Sequence, residues 1–199
     1  RNWAREAAAG VRVEYFDPAA EPFELSVVGE HNQTNAQAAW AAARQFGVSR
    51  DQAATALKAF AGLQHRLQFV AEIGGVTYFN DSKCTTPQGA IVALESFPPR
   101  SAVMIVGGYD KHISFDALGA ALAGRVKAVV TVGTTAGAIA AAVKAAIAAG
   151  RGEADSQGAA DSLHAADSPT VIAAESFEQA VALARQAARP GEAVVLSPA

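Results

Sequence analysis

From residue 102 onward the chain alternates short apolar runs with alanine-rich or amphipathic stretches, and few folds accept that rhythm. Residues 102–106, Ala-Val-Met-Ile-Val, are wholly apolar and are closed by Gly107-Gly108. A strand buried on both faces reads this way. Residues 115–122 suit a short helix with Ser114 as its cap. Residues 127–132 repeat the strand pattern and stop at Gly133; residues 136–149 are helical in character; residues 170–173 form another strand. Ser176 and Gln179 have the spacing of a capping box and open a helix to about residue 188. Pro190-Gly191 turns the chain into a last strand at 193–196. Strands alternating with helices call for an α/β fold, a mostly parallel sheet with right-handed crossovers.

Upstream of that rhythm lies the stretch on which the chemistry depends. The apolar runs 67–73 and 76–79 are separated by Gly74-Gly75, a tight-hairpin signal. Thr86 suits an N-cap and Pro87 the first helical position. Asn80-Asp81-Ser82-Lys83-Cys84-Thr85 is therefore a polar loop between a strand and a helix N-terminus. Asp81 offers a carboxylate, Lys83 a point charge, Ser82 and Thr85 hydroxyls. The plain alternative is an ordinary capped loop. In parallel sheets ligands bind at the carboxyl ends of strands. Residues 80–85, 107–111, 133–135 and Ser197 all follow strand ends, which argues that they share one crevice.

The first sixty residues have a different character. Residues 11–16 and 23–28 read as two paired strands joined by an Asp17-Pro18 turn. Gly29-Glu30-His31-Asn32-Gln33-Thr34-Asn35 precedes an alanine-rich helix expected over 36–46 and stopped by Gly47. Ser49 and Gln52 form a second capping box, opening a helix with Ala54, Leu57 and Phe60 on one face and an end near Gly62. A domain boundary is placed near residues 62–65. The expected division is residues 1–64, a small α+β unit, and residues 65–199, a Rossmann-like sheet with flanking helices.

Composition excludes several classes. Of 199 residues, 51% are hydrophobic and 18% charged, so a core forms and wholesale disorder does not fit. A formal charge of -3 argues against a general nucleic-acid binder. The single cysteine, Cys84, forbids an intrachain disulfide and fits a reducing compartment. No apolar run approaches a membrane span, and the N-terminus has no signal-peptide pattern. A first residue other than Met and the close at Ser197-Pro198-Ala199 suggest a piece of a longer chain. Residues 150–168 are polar, repeat Ala-Ala-Asp-Ser, and read as a surface insertion.

The remaining constellations each carry two readings. In Gly107-Gly108-Tyr109-Asp110-Lys111 the glycines let backbone approach a ligand and Lys111 meets a carboxylate or phosphate, or the segment is a strand-end turn with a solvated lysine. His31, Asn32 and Asn35 at a helix start either read a base edge or cap the helix. Cys84, His31, His65, His112 and His164 have no zinc spacing. Gly133-Thr134-Thr135-Ala136-Gly137 lacks the Gly-Lys-Ser/Thr ending of a phosphate-cradling loop.

Taken in order, residues 29–35, Leu63-Gln64-His65-Arg66, Asn80-Asp81-Ser82-Lys83-Cys84-Thr85, Gly107-Gly108-Tyr109-Asp110-Lys111 and Leu196-Ser197-Pro198-Ala199 resemble the Mur ligase family, in its D-glutamate-adding branch. The resemblance covers residues 29–199. It implies a cytoplasmic, ATP- and magnesium-dependent carboxylate–amine ligase of three domains. This chain would hold the tail of the central ATP-binding domain and the C-terminal domain. The substrates implied are ATP, D-glutamate and UDP-N-acetylmuramoyl-L-alanine, joined through an acyl phosphate in peptidoglycan synthesis. By match, Asn32, Asn35 and His65 lie around the adenine, Arg66 and Asp81 hold ribose and phosphates, and Lys83, Thr85 and Lys111 face D-glutamate. No residue of the chain is expected to be catalytic or to bind the metal. Gln64 stands where the family usually has proline. No phosphate-binding loop and no carbamylated-lysine segment is present, and the Cys-Ala-Ser continuation after Ala199 is lacking. The chain alone is therefore expected to be inactive. The alternatives are a sister Mur-type or folylpolyglutamate-type ligase, or a non-catalytic α/β interaction module.

Overall fold

The computed structural model describes residues 13–157 and 168–199. The chain divides into two compact units, Arg1–Ala61 and Gly62–Ala199.

In the N-terminal unit the described residues form helices and no strand. Helix α1 spans Glu30–Ala43 and runs into a 3-10 turn, Arg44–Phe46; α2 spans Arg50–Ala59. The strands expected at 11–16 and 23–28 are not formed over their described residues. At Phe23 and at Glu21 just before it, side chains of α1 take the place of a strand partner. The Gln33 amide donates to the Phe23 carbonyl at 2.6 Å and accepts from the Phe23 N–H at 3.0 Å. Gln37, itself buried, donates to the Glu21 carbonyl at 2.9 Å. A backbone whose donors and acceptors are met this way has no need of a partner strand. The turn at Asp17 does form, with its Oδ1 accepting from the Ala19 N–H. Helix α1 begins six residues before the expected start, because Gly29 at φ 98° ends the extended run and Glu30 suits the first turn. The Ser49–Gln52 capping box is present in both directions. Phe60 lies past the end of α2 in extended backbone and is exposed, while Ala54 and Leu57 pack on the core of Phe23, Ala36 and Ala53.

The C-terminal unit is a six-stranded sheet. Strands β1 (Gln68–Ile73) and β2 (Val76–Asn80) form an antiparallel hairpin. Its two turn residues, Gly74 and Gly75, sit at φ 62° and 77°, a pair of positive angles that glycine adopts freely. Helix α3 (Pro87–Glu95) follows, then β3 (Ala102–Val106), α4 (Asp116–Arg125), β4 (Ala128–Thr131), α5 (Ala136–Gln157), β5 (Thr170–Ala173), α6 (Phe177–Ala187) and β6 (Ala193–Leu196). The order is β1-β2-β6-β3-β4-β5, parallel everywhere except the hairpin. Strand β6 lies between β2 and β3, with Val194 opposite both Tyr78 and Val103.

Alternation along the strands gives the sheet two apolar faces. Val103, Ile105, Val130 and Val194 pack on Ala180 and Ala184 of α6. Helices α3, α4 and α5 pack side by side. Their fully buried Leu94, Leu118, Leu122, Ile139 and Val143, with Met104 and Val129, complete the core. Each such side chain contributes about 1.5–3 kcal/mol on burial. At the amino ends of the strands Lys127 and Glu192 pair at 2.7 Å, pinning the entries to β4 and β6.

The C-terminal unit departs from the sequence reading at its helix ends. Phe115, not Ser114, occupies the N-cap of α4 and makes no side-chain cap; Ser114 instead exchanges hydrogen bonds with Asp116 two residues on. Helix α5 continues to Gln157, through the first part of the expected insertion; residues 158–167 lie outside the described residues. In the box before α6, Ser176 caps Gln179, but the Gln179 side chain accepts from the Glu175 N–H rather than that of Ser176.

Candidate functional site

Parallel strands end on the same edge, and at that edge four segments of the C-terminal unit are tied together. Asp81 directly follows β2. Its N–H donates to the Leu196 carbonyl at 2.8 Å, extending the β2–β6 ladder by one step. Asp81 is buried, 7% exposed, and both carboxylate oxygens are engaged. Oδ1 accepts from the Leu67 N–H at 3.1 Å, and Oδ2 accepts from the Ser197 hydroxyl at 2.8 Å. The Ser197 N–H in turn donates to the Ile105 carbonyl at 3.0 Å. Asp81 thereby joins the segment before β1, the end of β6 and, through Ser197, the end of β3.

The segment before β1 folds back on the polar loop. His65 and Leu67 take positive φ angles, 64° and 39°. The His65 carbonyl accepts from the Lys83 N–H at 3.1 Å, and its own N–H donates to Gln68 Oε1 at 2.9 Å. The His65 ring meets Asn80 Nδ2 through Nδ1 at 3.0 Å. Asn80 Oδ1 accepts from the Ser82 N–H at 3.0 Å, a turn that short amide side chains favour at a strand end. Arg66 projects from the same segment and is exposed.

The polar loop closes on itself through Cys84 N–H to the Asp81 carbonyl, 2.8 Å. Thr86 then caps α3, its hydroxyl accepting from the Gly89 N–H at 3.2 Å, with Pro87 at the first helical position. The Cys84 thiol is buried beneath this loop and donates to the Thr86 carbonyl at 3.5 Å. Burial pushes that thiol up from its ordinary pKa.

The loop after β3 needs its glycine. Gly107 sits at φ 116°, and a Cβ there would stand 2.1 Å from the Val132 carbonyl oxygen. That close approach lets the loops after β3 and β4 lock: buried Thr135 accepts from the Gly108 N–H at 3.0 Å and donates its own N–H to the Gly108 carbonyl at 3.2 Å. From the anchored glycines the chain reaches Lys111, whose Nζ donates to the Thr85 carbonyl at 2.6 Å.

His65, Asp81, Lys83, Thr85 and Lys111 are thus brought to one edge by named hydrogen bonds, with Arg66 beside His65. Asn32 and Asn35 lie on the N-terminal unit, where Asn32 Nδ2 donates to the Val28 carbonyl at 2.6 Å and Asn35 Nδ2 to Asn32 Oδ1 at 3.3 Å. Chemically the edge offers exposed cations on two adjoining loops, suited to a ligand with more than one anionic group, and an imidazole beside them. Sequence reasoning gave no role to Asn80, Gln68 or Thr135, which hold the loops. An Asx residue two before a polar residue at a strand end was the available signal for Asn80.

Residues 65–199 match the family described as "Mur ligase, glutamate ligase domain". The chain is 41% identical over 176 residues to a UDP-N-acetylmuramoylalanine--D-glutamate ligase of Pelotomaculum thermopropionicum, covering 88% of this chain and 34% of that protein. It is 41% identical over 189 residues to the enzyme of that name from Nitratidesulfovibrio vulgaris (strain Miyazaki F), covering 94% and 38%. The chain therefore spans about a third of the length of these relatives. Among solved structures, a UDP-N-acetylmuramate-alanine ligase from Thermotoga maritima superposes with a TM-score of 0.62 at 18% identity, covering 88% of this chain and 36% of that one. A folylpolyglutamate synthase of Mycobacterium tuberculosis, complexed with ADP, gives 0.59 at 21%, covering 87% and 38%. At those identities the likeness is one of fold.

Proposed function

Given that the chain belongs to the Mur ligase family through its glutamate ligase domain, we propose that it is the amino-acid-binding part of an ATP-dependent ligase that joins D-glutamate to UDP-N-acetylmuramoyl-L-alanine. Residues 65–199 are the ligase domain and residues 1–64 the tail of a central ATP-binding domain. The setting is cytoplasmic peptidoglycan synthesis, and through it cell shape and division. Among the described residues no helix is long and apolar enough to cross a membrane.

In this reaction ATP converts the acceptor carboxylate to an acyl phosphate, which the amine of D-glutamate attacks with loss of phosphate. The chain's part is orientation. Lys83 and Lys111 receive the two carboxylates of D-glutamate, and Thr85 contributes its hydroxyl, leaving the amine free to face the acyl phosphate; holding it there is an effective-concentration gain. The observation that carries this reading is the Lys111–Thr85 hydrogen bond, which joins the Lys83 loop to the Lys111 loop. An ammonium has three donors, so one bond to a carbonyl leaves two for a carboxylate. His65, Arg66 and Asp81 serve the nucleotide; each Asp81 oxygen keeps a further lone pair for a ribose hydroxyl. On the N-terminal unit Asn32 and Asn35 are the adenine contacts. Magnesium finds no group of three or more His, Cys, Asp or Glu side chains among the described residues that could hold a metal ion. No step assigned to this chain runs through it.

The test is phosphate release by the full-length protein with ATP and UDP-N-acetylmuramoyl-L-alanine. D-glutamate should support turnover, and L-glutamate and meso-diaminopimelate should not. Turnover independent of D-glutamate overturns the reading. Replacing the nucleotide-sugar acceptor with a folate in the same assay separates a folylpolyglutamate-type ligase.

A further inference from the structure

The hydrogen-bond chain Ser82–Asn80–His65 has a direction, and the direction determines where the imidazole carries its proton. The Ser82 backbone N–H can only donate, so the Asn80 atom it meets at 3.0 Å is the carbonyl oxygen Oδ1. The other end of that amide is then NH2, which also can only donate. It meets His65 Nδ1 at 3.0 Å. Nδ1 must accept, and an accepting Nδ1 in a neutral ring leaves the proton on Nε2.

The backbone of His65 is fixed as well. Its N–H is taken by Gln68 and its carbonyl by Lys83, and its φ of 64° sets the direction of the side chain. Nε2–H remains as the outward polar group of an exposed residue.

We propose that Asn80 is a positioning residue that fixes His65 as the Nε2–H tautomer, so that the ring offers a hydrogen-bond donor to an acceptor atom of the bound nucleotide. The identity of the ligand rests on the function proposed above; the tautomer does not. The side-chain amide is a relay. A backbone N–H that cannot reverse its polarity dictates, through Asn80, whether the ring donates or accepts. A ring of the opposite tautomer would present a lone pair outward and meet an acceptor lone pair to lone pair, which is repulsive.

The experiment is long-range 1H–15N NMR of the histidine rings in the full-length protein, with and without Mg-ADP. His65 should show a pyridine-type Nδ1 and a pyrrole-type Nε2. Adding Mg-ADP should move the Nε2 resonance and leave the type of Nδ1 unchanged. A pyrrole-type Nδ1 in the free protein overturns the proposal. If the wild-type protein binds no ADP, the nucleotide reading fails, and the free-protein spectrum still decides the tautomer.

Asn80→Asp is the sharpest variant. A carboxylate still accepts from Ser82, but its other oxygen demands a donor from Nδ1, which in a neutral ring takes the proton from Nε2. The assay is run at alkaline pH, because a doubly protonated ring would keep its Nε2–H. ADP affinity should fall roughly three- to tenfold, the range for one neutral hydrogen bond. His65→Asn tests the same point without depending on Asn80. Asparagine tolerates a positive φ, so the segment should keep its fold. Its amide replaces only the Nδ1 side of the ring, and affinity should fall by the same factor. Wild-type ADP affinity in both variants, with backbone NMR spectra showing them folded, overturns the proposal.

Discussion

Ser197 donates its hydroxyl to Asp81 Oδ2 at 2.8 Å, across 116 positions of sequence. The bond is buried, and with the Leu67 contact on Oδ1 it makes one carboxylate the joint of three loops. Under the proposed function this structural role coincides in Asp81 with a nucleotide contact, and the right pair of substitutions separates the two.

Asp81→Ala leaves a hydroxyl and an amide without their acceptor and should cost about 2–4 kcal/mol, a sizeable share of the stability of a domain. Asp81→Asn keeps the geometry: its oxygen accepts from Leu67 and its NH2 donates to Ser197. Thermal unfolding should show a large loss for Ala and less than about 1 kcal/mol for Asn. If Asp81 also receives the ribose, Asp81→Asn raises the KM for ATP while the melting temperature holds. An unchanged KM would leave Asp81 with its structural role only.

Lys83→Ala and Lys111→Ala should each lower kcat/KM for D-glutamate by about ten- to a hundredfold, the equivalent of roughly 1.5–3 kcal/mol for one charge-assisted contact. Nucleotide affinity should hold. The two variants should differ in one respect. Lys111 also holds the Thr85 carbonyl, so only its loss should loosen residues 82–86, readable as faster amide exchange there. Wild-type D-glutamate kinetics in either variant removes the clamp.

Gly107→Ala places a methyl group against the Val132 carbonyl at a φ that L-residues avoid. A stability loss of about 2–4 kcal/mol is expected. The Gly108–Thr135 exchange should open with it, so the Thr135 amide should lose protection. A variant as stable as the wild type would mean that the loops after β3 and β4 approach less closely than described.

Cys84 should resist modification. Burial raises its pKa, so the reactive thiolate is scarcer at pH 8 than for a free cysteine, and the thiol is covered. Disulfide reagents should react with the native protein at the rate of local opening and promptly in denaturant. Where the native thiol reacts without opening, its rate should go on rising with pH beyond the point at which a free thiol levels off. Rapid stoichiometric labelling at neutral pH would contradict this.

The sheet was legible because its strands are short, apolar and punctuated by glycine: β3, β5 and β6 have the expected bounds and the hairpin turns at Gly74-Gly75. The convergence of residues 80–85, 107–111, 133–135 and Ser197 followed from parallel strands ending on one edge. Residues 23–28 misled because their β-rich composition says nothing about who supplies the partner. Gln33 of α1 takes both backbone hydrogen bonds of Phe23 that a partner strand would have used, and Gln37 holds the Glu21 carbonyl just before it. The role of Asn80 was hidden for a similar reason. It depends on which end of an amide faces Ser82, and that becomes visible only once His65 is folded back beside it.

Of the described strands β6 is made last, yet it lies between two others, bonded on one side to β2 and on the other to β3. While the chain is being synthesised, both neighbours must wait with open hydrogen-bonding edges until residues 193–196 leave the ribosome. Pairings this distant in sequence form slowly, and open edges recruit other chains. An interrupted polypeptide thus lacks the Asp81–Ser197 joint of the loop edge, because Ser197 arrives with β6. Joining of the loops and insertion of β6 are one event, and a nascent chain stalled before residue 193 should be a substrate for chaperones and proteases rather than a binder of ligand.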